Sequence, residues 1–283
     1  MPALEINEFQ QVQHNYRQEI ALWLSPIDFT TLQSDLMARR EEGTGLWFLN
    51  SSAFSEWIHK SNQTLFCHGI PGAGKTIIAA ATIDHLLKTV QSNTAGIAYI
   101  YFNYKAQECQ NTIAVLGAIL KQLILASPSV PESLVRLYEH HAIQQTRLSL
   151  KEIFHIEQAV LRTYSSVYIV IDALDECIDS ATRTEVLAKL HDLQSKTNLH
   201  LMVTSRPFPD ITSMFRLTPK LDVQASRADL EADLERFVAG QIHSLSLCIQ
   251  HDAELQRMVK IKTVEAADGM SVFRATLWST TSL

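Results

Sequence analysis

Two kinds of hydrophobic run alternate along this chain. Short stretches such as Leu65-Phe66-Cys67, Ile97-Ala98-Tyr99-Ile100-Tyr101-Phe102, Val167-Tyr168-Ile169-Val170-Ile171 and Leu199-His200-Leu201-Met202-Val203 are apolar almost throughout. Longer ones carry apolar residues every three or four positions, as in Ile113, Leu116, Leu120, Leu123 and Ile124, or Val186, Leu187, Leu190 and Leu193. The first pattern suits strands covered on both faces of a parallel sheet, and the second suits helices with one buried stripe. Start signals agree: Pro131 stands where a first helical turn accepts proline, and Ser149 with Glu152 makes a capping box. A fifth strand is expected near residues 217–223. Strands and helices in alternation predict an α/β fold, three αβα layers around a five-stranded parallel sheet, with ligands beyond the carboxyl ends of the strands.

Both flanks read as helical. Residues 6–40 form a leader broken at Pro26, with Leu22, Trp23, Leu24 and Ile27 as expected buried anchors, and Leu46-Trp47-Phe48-Leu49 is followed by Phe54, Trp57 and Ile58 at helical spacing. Such aromatic stripes are read as packing. From Ser226 the pattern is helical only, with Leu230, Leu234, Phe237, Val238 and Ile242 on one face and Gly269 as a helix cap. The expected organisation is a leader over 1–50, a core domain over 51–225 and a smaller helical subdomain over 226–283.

The first strand, Leu65-Phe66-Cys67-His68, empties into Gly69-Ile70-Pro71-Gly72-Ala73-Gly74-Lys75-Thr76, and a helix starting Ile77-Ile78-Ala79 follows. In that context G-x-x-x-x-G-K-[ST] is a phosphate-binding loop, or Walker A segment. Glycines let backbone N–H groups turn inward, the helix offers its positive end, Lys75 adds a full charge and the Thr76 hydroxyl can ligate Mg²⁺. The spacing G-x-x-G-x-G differs from the G-x-G-x-x-G of a dinucleotide turn.

A second constellation closes the third strand: apolar residues end in Asp172, and Ala173-Leu174-Asp175-Glu176 follow at once, as in a Walker B segment. Asp172 can reach Mg²⁺ directly or through water, and Glu176 or Asp175 can orient or deprotonate a water attacking a γ-phosphate. The bland alternative is a solvated acidic turn, which the phosphate loop in the same chain weighs against. At the end of the fourth strand, Arg206 in Thr204-Ser205-Arg206-Pro207 is placed either to sense a γ-phosphate or to make a surface salt bridge. His140 and His141 point in different helix directions, poor geometry for one metal, and are read as a solvated helix face. Gly269-Met270-Ser271-Val272-Phe273 lacks the second glycine of a hydrolase elbow. N-K-x-D is nowhere in the chain, so ATP is favoured over GTP by default.

Composition narrows the classes further. With 283 residues, 46% hydrophobic and 19% charged, the chain has material for one substantial core and an appendage. A net charge of −6 offers no general attraction to nucleic acid or anionic membrane. No apolar run approaches the roughly 18 residues of a membrane span, and residues 1–10 show no signal-peptide pattern, so a cytoplasmic protein is expected. Cys67, Cys109, Cys177 and Cys248 lack C-x-x-C spacing and are read as reduced thiols.

Residues 69–76, the segment 168–177 around Asp172-Ala173-Leu174-Asp175-Glu176, and residues 201–207 together resemble the NACHT domain of STAND-class NTPases. The likeness is to the fungal nephrocystin-like N-terminal group, whose lead-in Trp23-Leu24-Ser25-Pro26 and residues 42–49 also resemble, and it extends over roughly residues 20–270. The resemblance implies a sheet in which the Arg206 strand lies between the two Walker strands. It implies a signalling switch in which bound ADP holds a closed state, ATP opens it and promotes self-association, and slow hydrolysis resets it. By the same carry-over, Gly69, Pro71, Gly72, Ala73, Gly74, Lys75 and Thr76 cradle the phosphates, Thr76 and Asp172 hold Mg²⁺, Glu176 or Asp175 handles water, and Arg206 senses the γ-phosphate. Relatives of this kind join the module to an effector and to repeat-domain partners. They continue into a winged-helix segment entered by Gly-x-Pro, whereas no proline follows Pro219 here, so a shortened or truncated C-terminal part is expected. Two other readings stay open: a P-loop enzyme acting by turnover, such as a small-molecule kinase or motor-type ATPase, and a scaffold that keeps the fold without cycling nucleotide.

Overall fold

The structure, a computed structural model, describes residues 2–90, 94–105, 111–216, 218, 220–222, 236 and 247–267. Four helices come first: α1 (Pro2–Leu24), α2 (Thr30–Arg39), α3 (Leu46–Leu49) and α4 (Ser52–His59). The alternating part follows as β1 (Thr64–His68), α5 (Lys75–Thr89), β2 (Ala95–Tyr101), α6 (Thr112–Ala126), α7 (Glu132–Gln144), α8 (Leu150–Leu161), β3 (Ser166–Asp172), α9 (Ser180–Gln194), β4 (Leu199–Ser205), α10 (Pro209–Met214) and β5 (Lys220–Asp222). Two further helices, Leu247–Gln250 and Ala253–Ala267, are described near the C-terminus. All of the helix expected over 229–242 except residue 236, the cap at Gly269 and the C-terminal residues 271–283 lie outside the described residues.

All five strands are parallel, in the order β2-β3-β4-β1-β5. β4, which delivers Arg206, therefore separates β1 from β3, as the family resemblance implied. The chain crosses from β1 over β4 and β3 to reach β2, and every later step runs back the other way. Because such crossovers are right-handed, the reversal puts α5 on one face and the later helices on the other. Side-chain alternation confirms the split. Val167, Ile169 and Ile171 of β3 join a core with α6, α8 and α9, whereas Tyr168 and Val170 join α5.

The leader contributes to both cores. Ile20, Ala21 and Leu24 of α1 pack on the α6 face, so closely that a side chain at Gly117 would stand 2.4 Å from the Leu24 carbonyl oxygen. Arg17 donates to the Ser127 and Pro128 carbonyls at 2.8 and 2.6 Å, meeting free acceptors at the end of α6. Leu36 and Phe48 cover the α5 face, beside Phe54 and Trp57 of α4. Leu22, expected as an anchor, is instead 61% exposed. Two positions beyond Ile20, it lies about 200° around the helix from the buried stripe. Trp23 and Ile27 are partly buried against the core, as expected of them.

His140 is exposed, but His141 corrects the expectation of a solvated pair. It is 5% exposed, its ring centre is 5.7 Å from that of Trp23, and its Nδ1 lies 2.6 Å from the Thr146 hydroxyl. The seam between α1 and α7 claims it. The capping box of Ser149 and Glu152 forms as expected, and Cys67 and Cys177 are free, buried thiols. Among the described residues no helix is long and apolar enough to cross a membrane.

Candidate functional site

The chain leaves β1 and β4 toward opposite faces, which opens a crevice at their carboxyl ends. Residues 69–74 fill its mouth. Gly72 (φ 84°) and Gly74 (φ 85°) adopt left-handed conformations that a side chain would strain. Gly69 donates its N–H to the Ser205 carbonyl at 3.2 Å, extending the β1–β4 ladder by one rung, and Ala73 is buried with its N–H on Ile70. The first backbone bond within α5 runs from Ile78 to the Gly74 carbonyl, so the amides of Lys75, Thr76 and Ile77 belong to the unpaired, positive end of a 15-residue helix.

Lys75 closes the loop on itself. Its Nζ donates to the Gly69 and Ile70 carbonyls, both at 2.8 Å. Burial pulls its pKa below the ordinary lysine value, against the opposing pull of Asp175 first and Asp172 second.

Asp172 ends β3 and is 3% exposed. Thr204 Oγ1 donates to its Oδ1 at 2.6 Å, and the Thr76 hydroxyl lies near enough to favour the charged carboxylate. Burial pushes this carboxyl up to about 6, although the two hydroxyls and Lys75 pull the other way. The same Thr204 hydroxyl accepts the Ala173 N–H at 3.0 Å, holding Ala173 in a left-handed conformation (φ 54°) that an alanine adopts only under constraint. That kink turns the chain into a 3-10 turn, Leu174–Glu176, which swings the next two carboxylates back over the sheet edge.

Asp175 and Glu176 then part ways. Asp175 Oδ2 meets Arg206 Nε at 2.9 Å, and Oδ1 accepts the Arg206 backbone N–H at 2.9 Å. Glu176 Oε2 accepts the backbone N–H of Tyr104, just beyond β2, at 3.2 Å. Arg183 of α9 braces the arrangement from behind, donating to the Cys177 carbonyl at 2.5 Å and pairing with Asp210 of α10 at 2.7 Å.

Pro71, Gly72, Gly74, Lys75, Thr76, Asp172, Asp175, Glu176 and Arg206 line one cleft of about 300 Å³. Gly69 and Ala73 shape the loop without lining it. Four further lining residues, Leu36, Ile77, Ala173 and Thr204, have no part in the sequence reading, and Leu36 and Thr204 are the two that lie outside the loop and the acidic turn. Thr204 follows an apolar run that reads as plain strand, and Leu36 comes from the leader, far away along the chain. A polar residue at the carboxyl end of the strand beside Asp172 was the signal available for Thr204; nothing local marks Leu36.

Thr76 and Asp172 offer a hydroxyl and a carboxylate in the same cleft, hard oxygen donors of the kind Mg²⁺ takes. Among the described residues no group of three or more His, Cys, Asp or Glu could hold a metal by itself. A divalent ion here needs further oxygens, which water and phosphate supply.

The model of the family described as "Nephrocystin 3, N-terminal" matches residues 43–206, more than half of the chain, from the glycines before α3 to Arg206. The chain belongs to that family. It is thus a nephrocystin-like, NACHT-related P-loop NTPase, with the αβα architecture and parallel sheet described above. Vegetative incompatibility protein HET-E-1 of Podospora anserina is 25% identical over 225 residues, covering 74% of this chain and 16% of that protein. Among solved structures, the Orc1 protein of Aeropyrum pernix in complex with DNA matches with a TM-score of 0.49 and 16% identity, covering 79% of this chain and 59% of that one. A Walker-type ATPase of Pyrococcus abyssi matches at 0.46 and 13%, covering 77% and 62%. Likeness at that level carries no argument about ligands, and the site is read from its own geometry.

Proposed function

We propose that this nephrocystin-family domain is a nucleotide-dependent switch that binds ATP, or GTP, with Mg²⁺ and hydrolyses it slowly. The observation that carries the reading is the convergence of Lys75, Thr76, Asp172, Glu176 and Arg206 on one cleft at the β1–β4 crevice. Loop and helix amides present donors to a polyphosphate, and the glycines let that backbone approach it closely. Lys75 leaves the Gly69 and Ile70 carbonyls for the β- and γ-phosphates, a stronger partner for an ammonium than a carbonyl. Thr76 and Asp172 would hold Mg²⁺, which when bound neutralises phosphate charge. Asp172, already buried, held by Thr204 and near Thr76, needs little rearrangement to serve.

Glu176 or Asp175 orients the attacking water, and Arg206 meets the γ-phosphate. Loss of that phosphate would release Arg206 and so convert a hydrolysis state into a conformational one. Self-association on activation, protein effector or repeat-domain partners, a cytoplasmic setting and the division at residues 50 and 225 belong to the same reading, supported by the family kinship. Neither nucleic acid nor membrane is proposed as a partner.

The test is the nucleotide carried by purified protein and its rate of exchange. Tightly held ADP, displaced slowly by ATP with Mg²⁺, is the expected result; rapid multiple turnover would point to an enzyme acting by turnover instead. Lys75→Ala should weaken binding of a fluorescent ATP analogue by on the order of ten- to hundredfold, the loss of one charge-assisted contact. Unchanged affinity in that titration removes the site from consideration.

A further inference from the structure

Three carboxylates line the cleft, and one of them has no oxygen to spare. The Asp175 side chain is 4% exposed, and each of its oxygens faces Arg206: Oδ1 accepts the backbone N–H at 2.9 Å, and Oδ2 stands 2.9 Å from Nε in an ion pair. Main chain and side chain of one residue therefore close on a single carboxylate. That double contact ties the end of β4 to the carboxylate and holds the root of the guanidinium beside it. The ion pair runs through Nε, and among the described residues Nη1 and Nη2 make no hydrogen bond. Arg206 nevertheless lines the cleft and stays 42% exposed on its side chain. A rigid fork held at its root keeps its far donors for an incoming planar group of oxygens.

Glu176 differs. Its Oε2 accepts one backbone N–H, from Tyr104 at 3.2 Å, and among the described residues its Oε1 accepts none. One carboxylate is consumed in holding a cation and the other keeps an oxygen for water.

We propose that Asp175 is a positioning residue that aims Arg206 at the terminal phosphate of a bound nucleoside triphosphate, leaving Glu176 to handle water. The inference rests on the proposed function and refines it, since Asp175 then governs recognition of triphosphate against diphosphate and not the hydrolytic step. A diphosphate leaves the Asp175–Arg206 pair as it stands. A triphosphate adds a partner for Nη1 and Nη2 without breaking the pair.

The experiment compares affinities for ADP and a slowly hydrolysed β,γ-imido ATP analogue, with Mg²⁺, across a small set of full-length variants. Arg206→Ala and Asp175→Asn should each cut the triphosphate preference by on the order of tenfold or more, and the double variant should lose no more than either alone. Glu176→Gln should keep the preference and lose phosphate release. Arg206→Lys adds an arm that does not depend on an Asp175 variant folding. An ammonium can keep the ion pair, and so the melting temperature, but has no second set of nitrogens, so the preference should fall. Full triphosphate preference in Asp175→Asn with lost turnover, or in Arg206→Lys, overturns the proposal. If the unaltered protein binds neither nucleotide, the proposed function falls and this refinement with it; if it binds both and only the variants disagree, the refinement alone fails.

Discussion

Asp172 and Glu157 are both carboxylates removed from water, one at the carboxyl edge of the sheet and the other on α8 within the α6-face core. Asp172 has a hydroxyl partner in Thr204, with the Thr76 hydroxyl and a lysine nearby. Glu157 is 0% exposed and neither of its oxygens has a partner. Burial alone acts on Glu157 and lifts its pKa well above the ordinary glutamate value, so its protonated form is the one the core tolerates. Around Asp172 the opposing pulls hold the raised pKa to about 6, and the carboxylate stays available. The contrast teaches that burial depth is a poor marker of function; what surrounds the buried charge is the better one. A group with partners and a cleft in front of it is prepared for a cation. A group with neither is a cost to stability.

The comparison is broken most directly by an amide substitution in each region. Glu176→Gln should lower phosphate release by on the order of 10²–10⁴-fold with nucleotide binding retained, because the amide cannot take a proton from water. Glu157→Gln should leave turnover unchanged. Equal losses from the two variants would show that the α8 carboxylate is coupled to the cleft and that the contrast is false.

A smaller effect sharpens the other side. Glu157→Met replaces an unpartnered polar group with an apolar one of similar size and should stabilise the fold by about 1–3 kcal/mol at neutral pH, read from urea melts. The sign of its pH dependence follows from the raised folded pKa. The stability tied to a protonated Glu157 is complete below the ordinary carboxylate range and is lost as pH rises through the higher folded value. The gain from the substitution should therefore grow between acid and alkaline conditions. A gain that shrinks with pH means that Glu157 has a charged partner in solution.

The smallest expected effect concerns the kink behind Asp172. Ala173→Gly relieves a left-handed alanine, worth about 1–2 kcal/mol, against about 0.4–1 kcal/mol of added freedom in the unfolded chain. A net gain of about 0.5–1 kcal/mol in thermal or urea melts is expected. A loss would mean that the methyl group packs more usefully than its backbone is strained.

Much of this was legible beforehand. The first four strand runs appear within two residues of their expected limits, and the helices after Pro131 and Ser149 start within a residue of where the caps put them. Those signals are local, carried by neighbours a few positions apart. The loop was equally readable because its chemistry is contiguous from Gly69 to Thr76. Leu22 and His141 were misjudged for a different reason. Composition near a helix end does not say which side a neighbouring helix will occupy, and only the packing of α1 on α6 and α7 selects Leu24 over Leu22 and draws His141 inward. Thr204 and Leu36 were overlooked because their importance comes from residues more than thirty positions away.

Order along the chain was thus sufficient to specify a parallel αβα domain, a phosphate-binding loop and a set of acidic and basic residues at one sheet edge, because apolar period, glycine spacing and caps act over a few residues. Three-dimensional packing was needed to pair Asp175 with Arg206, to set Glu176 on Tyr104 and to give Asp172 its hydroxyl from Thr204. Partners for a side chain at a strand end are set by which strands lie beside it, and strand order is a property of the assembled sheet.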